Sequence, residues 1–249
     1  GRSKKKTGYS TSVDVLEKLR DEQPIVNDIL EYRKATKLKS TYIEGLIALI
    51  ADDGKIHPHF NQTVAATGRI SCTEPNLQNI PIRDEYGRNI RKAFVTSDEN
   101  HTFIGADYSQ IELRILAALS GDESLINAFN NNEDIHRITA SRVFNVPLDQ
   151  VTPLDRSRAK AVNFGVIYGM SGFGLSEELM ISRAEAQRYI DDYFLKHTSV
   201  KAYLDEQIKI GERYYAVKTI MGRIRQIPEF ASRKYMDRQF ANRLAMNTP

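Results

Sequence analysis

The stretch TPLDRSRAKAVNFGVIYG, residues 152–169, constrains this chain more than any other. Thr152, with Asp155 three residues on and Pro153 between them, is a helix-start signature. The two side chains can satisfy first-turn backbone N–H groups, and proline has none to satisfy. Gly169, Gly172 and Gly174 supply a stop. Inside the predicted helix, Arg156, Lys160, Phe164 and Tyr168 recur at every fourth position. Four residues are about 400° of helical rotation, so the side chains drift only about 40° per step and form one stripe along roughly 18 Å. The stripe grades from cationic to aromatic. Its basic end lies near the helix N-terminus, where the macrodipole favours anions, and its aromatic end offers flat faces on which a sugar or base can stack. That order suits a nucleotide, phosphates at one end and base at the other. The same residues also suit an ordinary amphipathic helix, with Phe164 and Tyr168 in a core and Arg156 and Lys160 on a solvated flank. On the helix alone both readings stay open.

At 249 residues the chain can form one large domain or two subdomains and bury a substantial core. With 35 basic and 32 acidic residues the net charge is +3, so any nucleic-acid surface has to be a local patch and not a global field. One such patch, Arg2, Lys4, Lys5 and Lys6, sits in a Gly/Ser/Thr setting and reads first as a solvated tail. The single cysteine, Cys72, excludes an intrachain disulfide and fits a reducing compartment, so a cytoplasmic location is expected. The histidines are scattered without zinc spacing; His57 and His59, on one face of an extended segment, read as surface or packing residues. No apolar run reaches membrane length and no signal peptide is visible, so no membrane partner is expected. The first residue is Gly1 and not Met, and a processed or excised fragment is the expectation.

Residues 12–51 read as packed helices, with Ser12 as a cap and Leu16, Ile29, Leu46 and Ile50 among their apolar positions. Residues 57–64 read as extended. From Thr67 to Arg91 the texture is rich in Asn, Gln, Thr, Arg, Gly and Pro, a poor helix and a poor core, so an ordered irregular surface is expected. Amides and arginines suit phosphates and minor-groove acceptors, although a plain loop has the same composition. Thr102 to Ala106 reads as a buried strand that ends on Asp107, with a helix from Ser109. A carboxylate at such a strand end is a common place for a metal ligand, and also a common turn former. Glu112 follows closely, as a second ligand or a pocket wall. Asp134 reads as the cap of another helix, with His136 in its first turn able to donate to an anion. Ser182 and Glu185 read as a capping box for a helix to about Lys196, Ser199 to Gly211 as a further helix, and Tyr215 to Ile227 as a hairpin about Met221 and Gly222. A last helix is expected from about Ser232 to Met246.

Taken together, DYSQIELR (107–114), the 156–169 segment, ATGRIS and PNLQNIPIR resemble the DNA polymerase I family, the family A DNA polymerases. The resemblance covers nearly the whole chain. It implies an α+β fold with a helical fingers subdomain on an antiparallel-sheet palm and a helical N-terminal piece of the thumb. Residues 1–56 would be the end of the thumb and linking helices, and 57–125 the first part of the palm. Residues 126–214 would be the fingers, and 215–249 a hairpin and helix leading back to the palm. It implies template-directed DNA synthesis, in which a nucleotide passes from a deoxynucleoside triphosphate to a primer 3′ end by a two-metal mechanism. Asp107, with the Tyr108 carbonyl, would bind two Mg²⁺ ions. Arg156 and Lys160 would hold the triphosphate, with help from His136 and Gln110. Phe164 would face the sugar, Tyr168 would stand beside the nascent pair, and Glu112 would exclude a ribose 2′-hydroxyl. Arg69, Asn76, Gln78, Asn79, Arg83, Arg243 and Asn247 would contact primer-template DNA.

One departure matters. The family carries a second catalytic segment, a His-Asp-Glu hairpin, downstream of Pro249, and nothing between Glu229 and Pro249 replaces it. The expectation is therefore that this polypeptide alone binds metals poorly and synthesises little or nothing, and that either a second chain carrying the rest of the palm is a partner or the sequence is a truncated piece of a longer one. The alternative is a catalytically silent fragment that holds primer-template. A related single-subunit RNA polymerase is disfavoured by Glu112.

Overall fold

The computed structural model describes residues 8–82 and 85–249, so Arg83 and the basic residues Arg2 to Lys6 lie outside the described part. The chain divides into two compact units, 1–105 and 106–249.

In the first unit, α1 (Val13–Glu17) and α2 (Ile25–Lys37) run into a π-type stretch over 38–44 and a last turn, α3 (Gly45–Ile47). Leu16, Val26, Leu38 and Leu46 are buried among them. Ser12 heads α1 but makes no side-chain cap bond. β1 (His59–Asn61) pairs antiparallel with β2 (Ser71–Thr73), Phe60 opposite Cys72. The Thr67–Arg91 stretch is more regular than its composition implies. It holds β2, a 3₁₀ turn at Leu77–Asn79 and α4 (Glu85–Lys92). Gly87 lets α4 lie close against Pro81, because a Cβ there would come 2.5 Å from the Pro81 Cβ. Arg91 ties α4 back to the preceding loop, donating to the carbonyls of Pro81 and Ile80.

The buried strand expected at 102–106 does not form. A strand is completed by its ladder partner, and no described segment pairs with these residues. Phe103 and Ile104 are instead 69% and 90% exposed.

The second unit is helical around one core. α5 (Ile111–Ser120) begins two residues later than Ser109, because Gln110 takes a left-handed conformation at φ +53°. α6 (Glu123–Asn130), α7 (Ile135–Val143), α8 (Pro153–Ile167), α9 (Gly172–Leu179), α10 (Arg183–Lys196) and α11 (Thr198–Tyr214) follow. Leu113, Leu125, Ile135, Val162, Leu175, Tyr193 and Val200 form the centre of that core. Four of these starts are capped by side chains: Asp122, Asp134, Ser171 and Ser182 accept backbone N–H groups of α6, α7, α9 and α10. Gly169, at φ +60°, ends α8 as expected, but Gly172 and Gly174 open α9 instead of extending the stop.

The 216–226 hairpin forms as β3 (Ala216–Lys218) and β4 (Ile224–Gln226), antiparallel with Val217 opposite Arg225, around Gly222 at φ +87°. α12 (Tyr235–Asn247) packs on α11 and β3 through Ala241, Ala245, Val217 and Ile227. Gly211 lets the helices approach, since a Cβ there would come 2.5 Å from the Phe230 ring. The described residues are α+β, mostly helical with two small antiparallel sheets. Among the described residues no helix is long and apolar enough to cross a membrane.

At the head of α8 the capping box is complete: Thr152 Oγ1 accepts the Asp155 N–H at 3.1 Å, and Asp155 Oδ2 accepts the Thr152 N–H at 3.1 Å. Thr152→Ala should therefore destabilise the fold by about 1 kcal/mol. Urea unfolding measures it, and an unchanged midpoint would remove the cap from the account of α8.

Candidate functional site

The stripe on α8 lies as its spacing requires. Lys160 is exposed, Arg156 and Phe164 are partly buried, and Tyr168 is 38% exposed. The Phe164 and Tyr168 rings are nearly parallel, 14° apart in tilt with centroids 6.4 Å apart. The Lys160 ammonium sits 6.0 Å from the Phe164 ring centroid and has no ion-pair partner among the described residues. A groove of about 410 Å³ between α8 and α9 is lined by Leu154, Ser157, Lys160, Ala161, Phe164 and Leu179. A larger apolar cleft of about 1410 Å³ lies in the first unit among Leu38, Tyr42, Leu46, Ile90 and Phe94, and carries none of the candidate residues.

α7 packs against the basic half of the stripe. Arg156 Nε donates to Asp134 Oδ2 at 2.6 Å, while Asp134 Oδ1 caps α7 by accepting the His136 and Arg137 N–H groups. Burial works to raise the Asp134 carboxyl, but Arg156 and these backbone donors outweigh it and hold it below its ordinary value. The pairing occupies only one edge of the guanidinium. Its two Nη groups have no partner among the described residues.

Behind the pair lies a polar chain with almost no exposure: Thr139 at 1%, Asn163 at 0% and His136 at 3%. Thr139 Oγ1 donates to Asn163 Oδ1 at 3.0 Å, and Asn163 Nδ2 lies 2.9 Å from His136 Nδ1. The His136 ring stands 6.1 Å from that of Phe164, centroid to centroid. Burial first, then the charge of Arg156, push its pKa below the ordinary 6.5; Asp134 opposes and Lys160 adds to the fall.

At the aromatic end Tyr168 OH donates to Glu112 Oε2 at 2.5 Å, joining the C-terminus of α8 to the first turn of α5. Gly169 lets α12 pass directly behind this junction. A Cβ there would collide with Met246 Cε and lie 3.1 Å from Arg243 Cγ. Gln110 sits at the α5 N-cap, and Asp107 and Tyr108 are exposed in the segment before it. Arg243 and Asn247 are exposed on α12.

In the first unit, two candidate DNA contacts have local duties. Asn76 Oδ1 accepts the Gln78 N–H and so caps the 3₁₀ turn, while Gln78 Nε2 donates to the Ile70 carbonyl. The Asn79 carbonyl accepts from Tyr42 OH at 2.5 Å. The Arg69 N–H donates to Thr67 Oγ1.

The model of DNA polymerase family A matches residues 1–249. The chain belongs to DNA polymerase family A. It is 54% identical over 247 residues to DNA polymerase I of Bacillus subtilis (strain 168) and 52% identical to DNA polymerase I of Streptococcus pneumoniae serotype 4. Both comparisons cover 99% of this chain and 28% of the relative, so the chain spans little more than a quarter of their length. The polymerase domain of Pol1 from M. smegmatis, solved in complex with DNA primer-template and dNTP, superimposes with a TM-score of 0.88 at 46% identity, over 99% of this chain and 44% of that one. Membership in family A accounts for DYSQIELR and the α8 stripe occurring in this order on one chain.

Family resemblance and spacing drew attention to the exposed stripe and passed over Thr139, Asn163 and the pairing of Asp134 with Arg156. A signal for Asn163 was present. It sits on the α8 face of Ala159, Val162 and Val166, all buried, and an amide on such a face has to find partners.

The folded ring of His136 stays neutral at pH values where an unfolded ring is protonated, so below pH 6.5 the unfolded state binds more protons. The stability tied to this ring is complete above 6.5 and is lost as the pH falls beneath it. Between about pH 7.5 and 5.5 the urea midpoint of wild type should fall more than that of His136→Gln, and parallel falls would refute the assignment.

Proposed function

We propose that this chain is the nucleotide-gripping part of a template-directed DNA polymerase, transferring a nucleotide from a deoxynucleoside triphosphate to a primer 3′ end. The observation that carries the reading is the Tyr168–Glu112 hydrogen bond, which holds the aromatic end of the α8 stripe against the helix that follows Asp107. A triphosphate laid along α8 meets the free Nη groups of Arg156, then Lys160, with the sugar over Phe164 and the nascent pair beside Tyr168. Gln110 and His136 complete the nucleotide contacts, and Glu112 fills the space a ribose 2′-hydroxyl needs. The primer 3′ hydroxyl oxygen attacks the α-phosphorus, losing its proton to solvent, as the bond to pyrophosphate breaks. The cations stabilise the charge that builds on the leaving group. Arg69, Asn76, Gln78, Asn79, Arg83, Arg243 and Asn247 are proposed to hold primer-template DNA. The thumb, palm and fingers division at residues 56, 125 and 214 belongs to the same proposal.

Asp107 and the Tyr108 carbonyl offer oxygen donors of the hard type that Mg²⁺ takes. Yet among the described residues no group of three or more His, Cys, Asp or Glu side chains could hold a metal ion. These residues do not fit a resident Mg²⁺ by themselves, and no step is assigned to one. The two-metal form of the reaction is proposed for an assembly in which more carboxylates are supplied, by a second chain carrying the rest of the palm or by more of the same polypeptide. The same observation favours a second reading, a catalytically silent fragment that binds primer-template without extending it.

Primer extension separates the two. The 249-residue chain alone should add no nucleotide, and supplying the remaining palm should restore synthesis; silence in both states would leave the binding-fragment reading. In the reconstituted enzyme, Asp107→Ala should abolish extension with duplex affinity nearly intact. Lys160→Ala should mainly lower kcat/KM for the nucleotide, by about 10- to 100-fold for one lost charge-assisted contact. Equal losses of DNA affinity in both variants would contradict these roles. Glu112→Ala should raise ribonucleotide use relative to deoxynucleotide use, and an unchanged ratio would refute the gate.

A further inference from the structure

Of the buried chain Thr139–Asn163–His136, only His136 has a part in the nucleotide reading so far. We propose that Asn163 is a positioning residue: held by Thr139, its amide makes His136 Nδ1 an acceptor, so that Nε2 carries the proton and donates it to a phosphate oxygen of the bound nucleoside triphosphate. The inference rests on the nucleotide-binding reading above and deepens it.

The assignment follows from donor and acceptor counting. A threonine hydroxyl has one proton, and Thr139 gives it to Asn163 Oδ1 at 3.0 Å. That bond orients the amide, turning Nδ2 toward His136 Nδ1 at 2.9 Å. With the amide in this orientation its nitrogen can only donate, so Nδ1 presents its lone pair and the ring proton resides on Nε2. The opposite tautomer would set two N–H groups face to face at 2.9 Å, too close for a water between them, in a site where Asn163 is 0% and His136 3% exposed. A doubly protonated ring would meet the same conflict. Nε2 itself has no hydrogen-bond partner among the described residues. The ring stands beside Phe164, and the charges it feels are those of Arg156, Asp134 and Lys160. Asp134 is already taken by Arg156 and by the cap of α7. An anion seated on the Arg156 and Lys160 stripe is the acceptor that remains. Because the tautomer is set before binding, no proton has to move when the nucleotide arrives.

The test reads the tautomer and the affinity separately. Long-range proton–nitrogen NMR of the ¹⁵N-labelled chain, with His136 assigned by its loss in His136→Gln, should show one unprotonated nitrogen at Nδ1 and one protonated at Nε2. Asn163→Asp keeps the shape but replaces the donor by an acceptor, and should bring a proton to Nδ1. It should also weaken equilibrium binding of a deoxynucleoside triphosphate with Mg²⁺ by about tenfold. Thr139→Val, which frees the amide to turn, should give a mixed tautomer and a smaller loss, and serves alone if Asn163→Asp does not fold. A wild-type ring protonated at Nδ1, or variants that leave both ring signals and affinity unchanged, would overturn the proposal. If wild type shows the Nε2 proton yet binds no triphosphate, the nucleotide reading fails and takes the phosphate-donor role with it, while the amide chain survives as packing only.

Discussion

The seam between α7 and α8 is the constraint on which the rest depends. It is built from two apolar helix faces with one polar chain between them, Thr139 to Asn163 to His136, and one ion pair at its edge, Arg156 to Asp134. Apolar packing has little directional preference, and two such faces could settle in neighbouring registers. A buried amide is less forgiving: sliding by one residue would leave Asn163 without partners, at a cost of about 1–3 kcal/mol for each unsatisfied group. The seam therefore sets where His136 and Arg156 stand relative to Lys160 and Phe164.

The same interactions serve fold and site. Asp134 caps α7 and, with the same carboxylate, orients the Arg156 guanidinium, leaving its Nη groups outward. Tyr168 closes the stripe by reaching Glu112, and Gly169 leaves room for Arg243 and Met246 of α12 behind that contact. α5 and α12 thus meet the C-terminal end of α8, while α7 packs along its N-terminal half. A residue substituted for its effect on nucleotide selection there also perturbs the packing, which is why spectroscopic and kinetic readouts have to accompany stability measurements.

Much of this was legible along the chain. Caps are local chemistry, so Thr152 with Asp155, Asp134 and Ser182 marked helix starts that the fold keeps. The hairpin about Gly222 needed only alternation and a glycine able to take positive φ. Other stretches misled for identifiable reasons. Residues 102–106 have strand composition, but a strand depends on a neighbour that no local pattern contains, and Ile104 is 90% exposed. The stretch 67–91 has loop composition, yet Arg91 and a close Gly87–Pro81 approach secure a helix within it. Asn76 also caps its own turn, and Gln78 also reaches the Ile70 carbonyl, duties that no local spacing announced.

Within this protein the sequence by itself determined the organising helix, its start at the Thr152–Asp155 box, its end at Gly169 and the order of charge and ring along its exposed face. All of these follow from helical periodicity and from neighbours within four residues. Only the tertiary structure decided what the opposite face does. Asn163 lies 24 residues from Thr139 and 27 from His136, and Tyr168 lies 56 from Glu112. Such pairs are set by packing of whole helices, which places donors and acceptors that no local spacing relates.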